Sequence, residues 1–332
     1  MRPLYQEANE VAPTEWPGHS NAGLWYDKFC DWPDDFAKFD KNKWISKLHG
    51  KKVGNPCVLA EHAARRTALA AACGGVTLEW KTASRFLTGL GRDHPVENGF
   101  AWHHLLGVPY LPGSGVKGVV RSWAEVWGAS DDAALCDMAF GVASDTDNTG
   151  GKAGSILFLD ALPVGPVRLE GEVMTPHLGG YYLASLENPA DLPGEWHAPI
   201  PIPLLATAKG QTFQFCLLPR TPDAVEALPK LANLLAEALQ IIGAGAKTAS
   251  GYGRFASDAG TIAAPAKAEP LEEFCRWFDA QKFNATNKGA QHTIIEKVEA
   301  MPEEARPKAK EYIGSKLKKK ERTDKLHAFI TQ

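Results

Sequence analysis

Between Val76 and Thr82 the apolar residues Val76, Leu78 and Trp80 fall on every second position, a period that predicts a β-strand with one buried face. The residues before it, Leu59 to Cys73, read as a helix stopped by Gly74 and Gly75. Further on, the dense turn signal Pro109-Tyr110-Leu111-Pro112-Gly113-Ser114-Gly115 precedes Val116, Val119, Val120, Trp123, Val126 and Trp127 at helical spacing. A helix is expected there, with Ser114 as its N-cap and Gly128 at its C-terminal end. Gly141 to Gly154 reads as a polar, glycine-rich loop, while Ser155 to Leu159 and Gln211 to Leu218 are two more expected strands. Within Asp223 to Ile242, the positions Leu228, Leu231, Leu234, Leu235, Leu239 and Ile242 mark an amphipathic helix, with Pro229 near its start and a glycine cluster after its end.

Strand, helix, strands, helix is the order of a ferredoxin-like (RRM-like) unit, so the expected class is α+β. The chain around it divides by composition. Residues 1–75 form an arm rich in aromatics, among them Trp16, Trp25, Tyr26, Phe29, Trp32, Phe36, Phe39 and Trp44, followed by the first helix. Residues 76–260 hold the ferredoxin-like domain with insertions. An Ala/Pro-rich linker, Gly260 to Pro270, opens a region 261–332 with helical spacing at Leu271, Phe274 and Phe278.

Charge changes this picture by excluding bulk electrostatic grip. The net charge is −3 and the isoelectric point near 6.4, so a nucleic-acid contact in the main body needs local patches or shared work with partners. Nine Lys or Arg against three acids between Arg306 and Lys325 give that segment +6 and leave the remainder at −9. The six cysteines lie far apart, with no C-x-x-C pair, and read as reduced thiols. No leader and no membrane-spanning apolar run is seen in the sequence, so the expected location is the cytoplasm.

Two segments carry candidate chemistry. The N-terminus of the helix at Gly113 to Gly118 presents unpaired backbone N–H groups to a phosphate, and Lys117 and Arg121 share one helical face. In Gly243-Ala244-Gly245-Ala246-Lys247-Thr248-Ala249-Ser250-Gly251-Tyr252-Gly253-Arg254-Phe255, glycines let backbone amides approach RNA, Lys247 and Arg254 supply charge and Tyr252 offers a stacking face. The bland alternatives are a capped helix and a packing loop. A nucleotide-binding P-loop is not expected, since Ile241 and Ala246 stand where that pattern needs glycine. His94, His103, His104 and His177 have no metal-ligand spacing around them and read as structural, Asp160 as a cap or loop orienter, and the Lys316 to Lys320 run as a solvated face.

The segment Gly107 to Arg121 resembles the PxxPGSSxKGxxR stretch of RAMP proteins of CRISPR systems, and Gly243 to Phe255 is similar to their glycine-rich loop. Between them, Ala139-Phe140-Gly141 and then Gly154-Ser155-Ile156-Leu157-Phe158-Leu159-Asp160-Ala161 match the family's order of elements. Asn21-Ala22-Gly23-Leu24-Trp25, His94-Pro95-Val96-Glu97-Asn98-Gly99 and Met174-Thr175-Pro176-His177 resemble the last-numbered of the six Cmr (type III-B) subunits. Gly115, where many relatives have Ser, and the basic tail beyond Pro270 depart from the pattern.

The resemblance implies a non-catalytic, RNA-binding subunit that caps the RAMP backbone near the 3′ end of the CRISPR RNA in antiviral defence, with no cofactor and no metal. It implies as partners CRISPR RNA and target RNA, the backbone RAMP subunit, the small helical subunit and the head RAMP subunit, without a membrane. The RNA-binding residues expected from it are Gly113, Ser114, Gly115, Lys117, Arg121, His177, Lys247, Thr248, Gly251, Tyr252, Gly253 and Arg254. The rival readings are a Cas6-like endoribonuclease that processes precursor CRISPR RNA, and an assembly protein that touches only other subunits.

Overall fold

At the centre of the computed structural model lies β9 (Thr212–Pro219), whose side chains alternate between two layers. The structure describes residues 14–30, 38–127, 130, 132–144, 150–178, 181–182, 192–257, 274–275, 277–278, 288–303, 305–317 and 324–331. Trp32, Phe36, Gly128, the linker 260–270, Leu271 and Lys318 to Lys320 lie outside them. Two compact units divide the chain, 1–263 and 264–332.

In the first unit β9 pairs antiparallel with β2 (Val76–Thr82), with β5 (Ile156–Phe158) and with the two-residue β6 (Leu162–Pro163). β10 (Phe255–Ala256) pairs antiparallel with the far side of β2, which gives the order β10-β2-β9-β5. Phe213, Phe215 and Leu217 of β9 are wholly buried with Val76 and Leu78. Gln214 on the opposite face donates to Ala63 and Thr67 of α3 (Pro56–Cys73). α3 begins where the Asn55 carboxamide accepts from the N–H groups of Cys57 and Val58, and ends at Gly74 in the left-handed region, φ 69°. α4 (Gly113–Arg121) connects β2 to β5, and α6 (Leu228–Ile241), with Pro229 in its first turn, connects β9 to β10. These two helices pack on each other, and α6 covers β2, β9 and β10.

The aromatic arm docks into this same core. α1 (Ala22–Lys28) and α2 (Lys41–Ser46) meet where the Trp25 and Trp44 rings stack at 4.5 Å, and Trp25, Tyr26, Trp44 and Ile45 are buried. A second sheet, β1 (Lys52–Val53), β7 (Val167–Met174) and β8 (Ile202–Thr207), was not expected from the sequence. Arg168, Glu170, Gly171 and Glu172 dilute the apolar signal of β7, and proline breaks up that of β8. Gly141 to Gly154 is likewise more than a loop. Its described ends pair as an antiparallel hairpin, β3 (Gly141–Val142) with β4 (Lys152–Ala153), behind α5 (Ala133–Phe140). Cys136 and Cys216 are buried, whereas Cys57 and Cys73 are exposed.

The second unit contains α7 (Lys288–Glu299), α8 (Arg306–Lys316) and α9 (Asp324–Thr331) around its own core of Phe274, Phe278, Ile294, Val298, Ile313 and Leu326. Among the described residues no helix is long and apolar enough to cross a membrane.

Candidate nucleic-acid interface

α4 begins earlier than the hydroxyl pattern suggests. Pro112 occupies the cap position without a side-chain bond, and Ser114 lies exposed inside the first turn. The cap comes instead from a distant carboxylate: the Gly113 N–H donates to Oδ1 of Asp160 at 2.7 Å. Asp160 is itself anchored from the other side, where the buried Arg66 of α3 donates to its carbonyl oxygen at 2.5 Å. One of the amides expected to meet a phosphate is thus already satisfied by an anion of the chain. Gly113 is needed for packing, since a Cβ there would lie 2.1 Å from the Phe158 carbonyl oxygen. After Arg121 the helix widens into a π turn over Ser122–Val126. That change of pitch takes Val126 and Trp127 off the buried stripe, leaving them 79% and 62% exposed.

The glycine loop follows α6 and turns inward at several of its expected contact residues. The Arg254 guanidinium donates through Nη1 to the carbonyl oxygen of Ile242, closing the C-terminal end of α6. Tyr252 is half-buried beside Leu87, Leu204 and Ala206 and hydrogen-bonds Glu172. Burial, then the neighbouring Glu172 carboxylate, pushes its hydroxyl above the usual phenol range. Its ring packs against the second sheet, at the position where the sequence suggests a stacking face. Gly253 has φ 70°, and a Cβ there would stand 1.9 Å from the Ala244 carbonyl oxygen; Gly251, at φ 91°, faces open space. Lys247 is exposed, in the left-handed region at φ 57°, at the head of the turn Thr248–Ser250.

Two grooves flank α4. The first, a cavity of about 510 Å³, brings the two sequence segments together: Gly115, Gly118 and Ser122 face Gly243, Gly245, Thr248 and Arg254 across it, with Trp127 and Ile241 at its side. The second, about 430 Å³, takes Lys117 and Arg121 in the company of Phe140, Val142, Lys152, Leu157 and Arg220. The expected RNA-binding set is therefore split: Gly115, Thr248 and Arg254 line the first groove and Lys117 and Arg121 the second, whereas Gly113, Ser114, His177, Lys247, Gly251, Tyr252 and Gly253 line neither. Arg121 is exposed and ion-paired with Glu125 at 2.8 Å, one turn on. The Lys117 side chain makes no hydrogen bond or ion pair with a described residue.

The histidines divide differently. His94 stacks on Tyr26 at 4.6 Å and bonds its carbonyl oxygen at 3.2 Å, and burial holds its pKa below the usual imidazole value. The Nδ1 of His103 accepts from the Leu106 N–H at 3.3 Å, and burial lowers its pKa too. His177 is exposed beyond the end of β7 and lines neither groove. Among the described residues no group of three or more His, Cys, Asp or Glu is placed to hold a metal ion.

Sequence reasoning missed three residues of the grooves: Trp127 as an exposed side chain, Lys152 and Arg220. Lys152 carries a weak signal, standing between Gly151 and Gly154 at a hairpin end, and Arg220 ends the β9 pattern. Nothing short of the fold brings them beside Lys117.

The chain matches the RAMP superfamily over residues 79–256. It is 29% identical over 232 residues to the CRISPR system Cmr subunit Cmr6 of Pyrococcus furiosus, covering 54% of this chain and 67% of that protein. Among solved structures it is similar to a chain of the type III-B Cmr-beta complex bound to cognate target RNA, with a TM-score of 0.50, 20% identity, and 70% and 78% of the two chains covered. The crystal structure of Cmr6 from Pyrococcus furiosus matches with a TM-score of 0.33 at 26% identity, over 56% of this chain and 98% of that one.

Proposed function

Because this chain belongs to the RAMP superfamily, we propose that it is an RNA-holding, non-catalytic subunit of a type III-B Cmr effector complex, the counterpart of Cmr6. In that role it caps the RAMP backbone near the 3′ end of the CRISPR RNA, with the backbone, small helical and head subunits as its neighbours. Its strand order β10-β2-β9-β5, with α4 and α6 as crossovers, is read as the ferredoxin-like unit of that family. The observation that carries the proposal is the meeting of two segments more than a hundred residues apart across one groove, with Lys117 and Arg121 on the outer side of the same helix. Glycines there admit a polynucleotide backbone, and the cations neutralise phosphate. Such contacts read shape and charge; sequence is left to base pairing between guide and target.

The test is RNA retention by the purified complex carrying Lys117→Ala and Arg121→Ala. The stability, read from thermal melting, should stay within the range of surface substitutions, about 0.5 kcal/mol each. The dependence of log affinity on log salt should become shallower by roughly 0.7 for each phosphate that is no longer neutralised. An unchanged slope removes both residues from the interface. Cleavage of repeat RNA by the isolated chain, abolished by a single histidine substitution, would replace this function with the endoribonuclease reading.

A further inference from the structure

The groove on the α5 side of α4 holds more positive charge than the two matched segments account for. Lys117 and Arg121 enter it from α4, Lys152 from β4 and Arg220 from the turn after β9, and among the described residues no acidic side chain lines it. Of the four, Arg121 has a carboxylate partner, Glu125. The Arg220 guanidinium donates to the Gly154 carbonyl oxygen at 2.9 Å, which fixes it at the base of the hairpin. The side chains of Lys117 and Lys152 have no hydrogen-bond or ion-pair partner among the described residues. In a chain of net charge −3, gathering Lys117, Lys152 and Arg220, none with a carboxylate partner among the described residues, around one groove is unfavourable by mutual repulsion unless an anion shares it.

We infer that this groove is a second RNA-binding site, in which Lys152 and Arg220 join the α4 cations in holding the phosphodiester backbone of an unpaired strand. The inference rests on the RNA-holding function proposed above and extends it to residues outside the matched segments. Two features favour a nucleic acid over an acidic protein segment. Lys117 and Arg121 stand one helical turn apart, roughly 6 Å along the axis, a step comparable with that between neighbouring phosphates of a strand. Arg220, held at a fixed place, presents planar donors suited to phosphate oxygens. A third feature favours an unpaired strand over a duplex. Val142 and Leu157, 42% and 45% exposed, line the same groove. They offer an apolar face to bases that a duplex would keep stacked inside.

The test is binding of single-stranded RNA to the full chain, followed by anisotropy across a salt series. Lys152→Glu is the main variant, because that side chain holds nothing in place; Arg220→Ala also removes the bond to Gly154 and is read only beside a melting curve. Expected is a tenfold or larger loss of affinity for Lys152→Glu at an unchanged melting temperature. Lys152→Ala should make the salt slope shallower by about 0.7, the value for one phosphate of a single strand. If Lys152→Glu binds RNA like the parent while Lys117→Ala with Arg121→Ala weakens it, the second site is wrong and the proposed function stands. If the parent chain, alone and in its complex, holds no RNA, both fall. If Lys152→Glu keeps its RNA but loses a protein subunit from the complex, the groove holds an acidic partner and the inference is overturned. Stronger binding to duplex than to single-stranded RNA would overturn the unpaired strand.

Discussion

On α4, Lys117 and Arg121 project away from the buried stripe of Val116 and Val120 into a groove, and one of them is without a partner among the described residues. In the glycine loop, Arg254 closes the end of α6 and Tyr252 leans on the second sheet, so its charge and its ring are already engaged within the chain. Both segments looked alike as sequence, glycines interleaved with cations. The difference teaches that a cation already spent on a helix end has fewer donors left for a ligand than one whose side chain the fold leaves unengaged. Motif glycines divide in the same way between close packing and open turns.

The largest effect separating these roles is expected inside the loop itself. Gly253→Val places a Cβ within 1.9 Å of the Ala244 carbonyl oxygen at a positive φ, so the backbone must move. A loss of more than about 4 kcal/mol, seen as failure to fold, is the expected outcome. Gly251→Val, strained in φ but facing open space, should cost about 1 to 3 kcal/mol. Equal stability of the two variants by thermal melting would show that the inward half of the loop is not packed as described. Arg254→Ala removes a charged donor from the Ile242 carbonyl and is expected to destabilise by about 1.5 to 3 kcal/mol. A variant that melts like the parent yet releases RNA would return Arg254 to the set of phosphate contacts.

A smaller effect is expected at the N-terminus of α4. Asp160→Ala deletes the carboxylate that accepts from Gly113, a loss of about 0.5 to 2 kcal/mol for a helix cap. It also frees an amide and removes a negative charge from the place where a phosphate was expected. If RNA affinity rises while stability falls, the helix N-terminus is a latent anion site. If affinity is unchanged, the cap is purely structural and RNA contact on α4 is confined to its side chains.

How far the sequence led follows from where each signal is local. The alternation of β2 and β9, the glycine stop of α3 and the leucine stripe of α6 are set by neighbours in the chain, and those elements were legible to within a few residues. β7 and β8 were not, because charged residues and prolines interrupt their pattern on a sheet that is only partly covered. Ser114 suited a cap, but the side chain that accepts from the Gly113 N–H is Asp160, 47 positions beyond Gly113. The groove cations show the same limit. Lys117 and Arg121 were visible because four residues make one helical turn, whereas Lys152 and Arg220 join them only through the hairpin and the end of β9.

The smallest effect gives the finest discrimination between an engaged loop and an open one. Tyr252 hydrogen-bonds Glu172, which also accepts from Nη1 of Arg85 at 2.6 Å, while Nε of Arg85 donates to Glu170 at 2.7 Å. Tyr252→Phe removes one hydroxyl from that network and keeps the ring against Leu87, Leu204 and Ala206. A loss of about 0.5 to 1.5 kcal/mol is expected for the hydrogen bond, moderated because the position is only half-buried and water can replace the donor. RNA affinity should not change for this variant at any salt concentration. It should change little more for Tyr252→Leu, which keeps the apolar contact and removes the ring. Base stacking would leave the opposite signature, with Phe equal to Tyr but Leu weaker by about 1 to 3 kcal/mol in binding and unaltered in melting. The pair of substitutions therefore decides whether the loop touches RNA through its backbone or through an aromatic face that turns outward when RNA arrives.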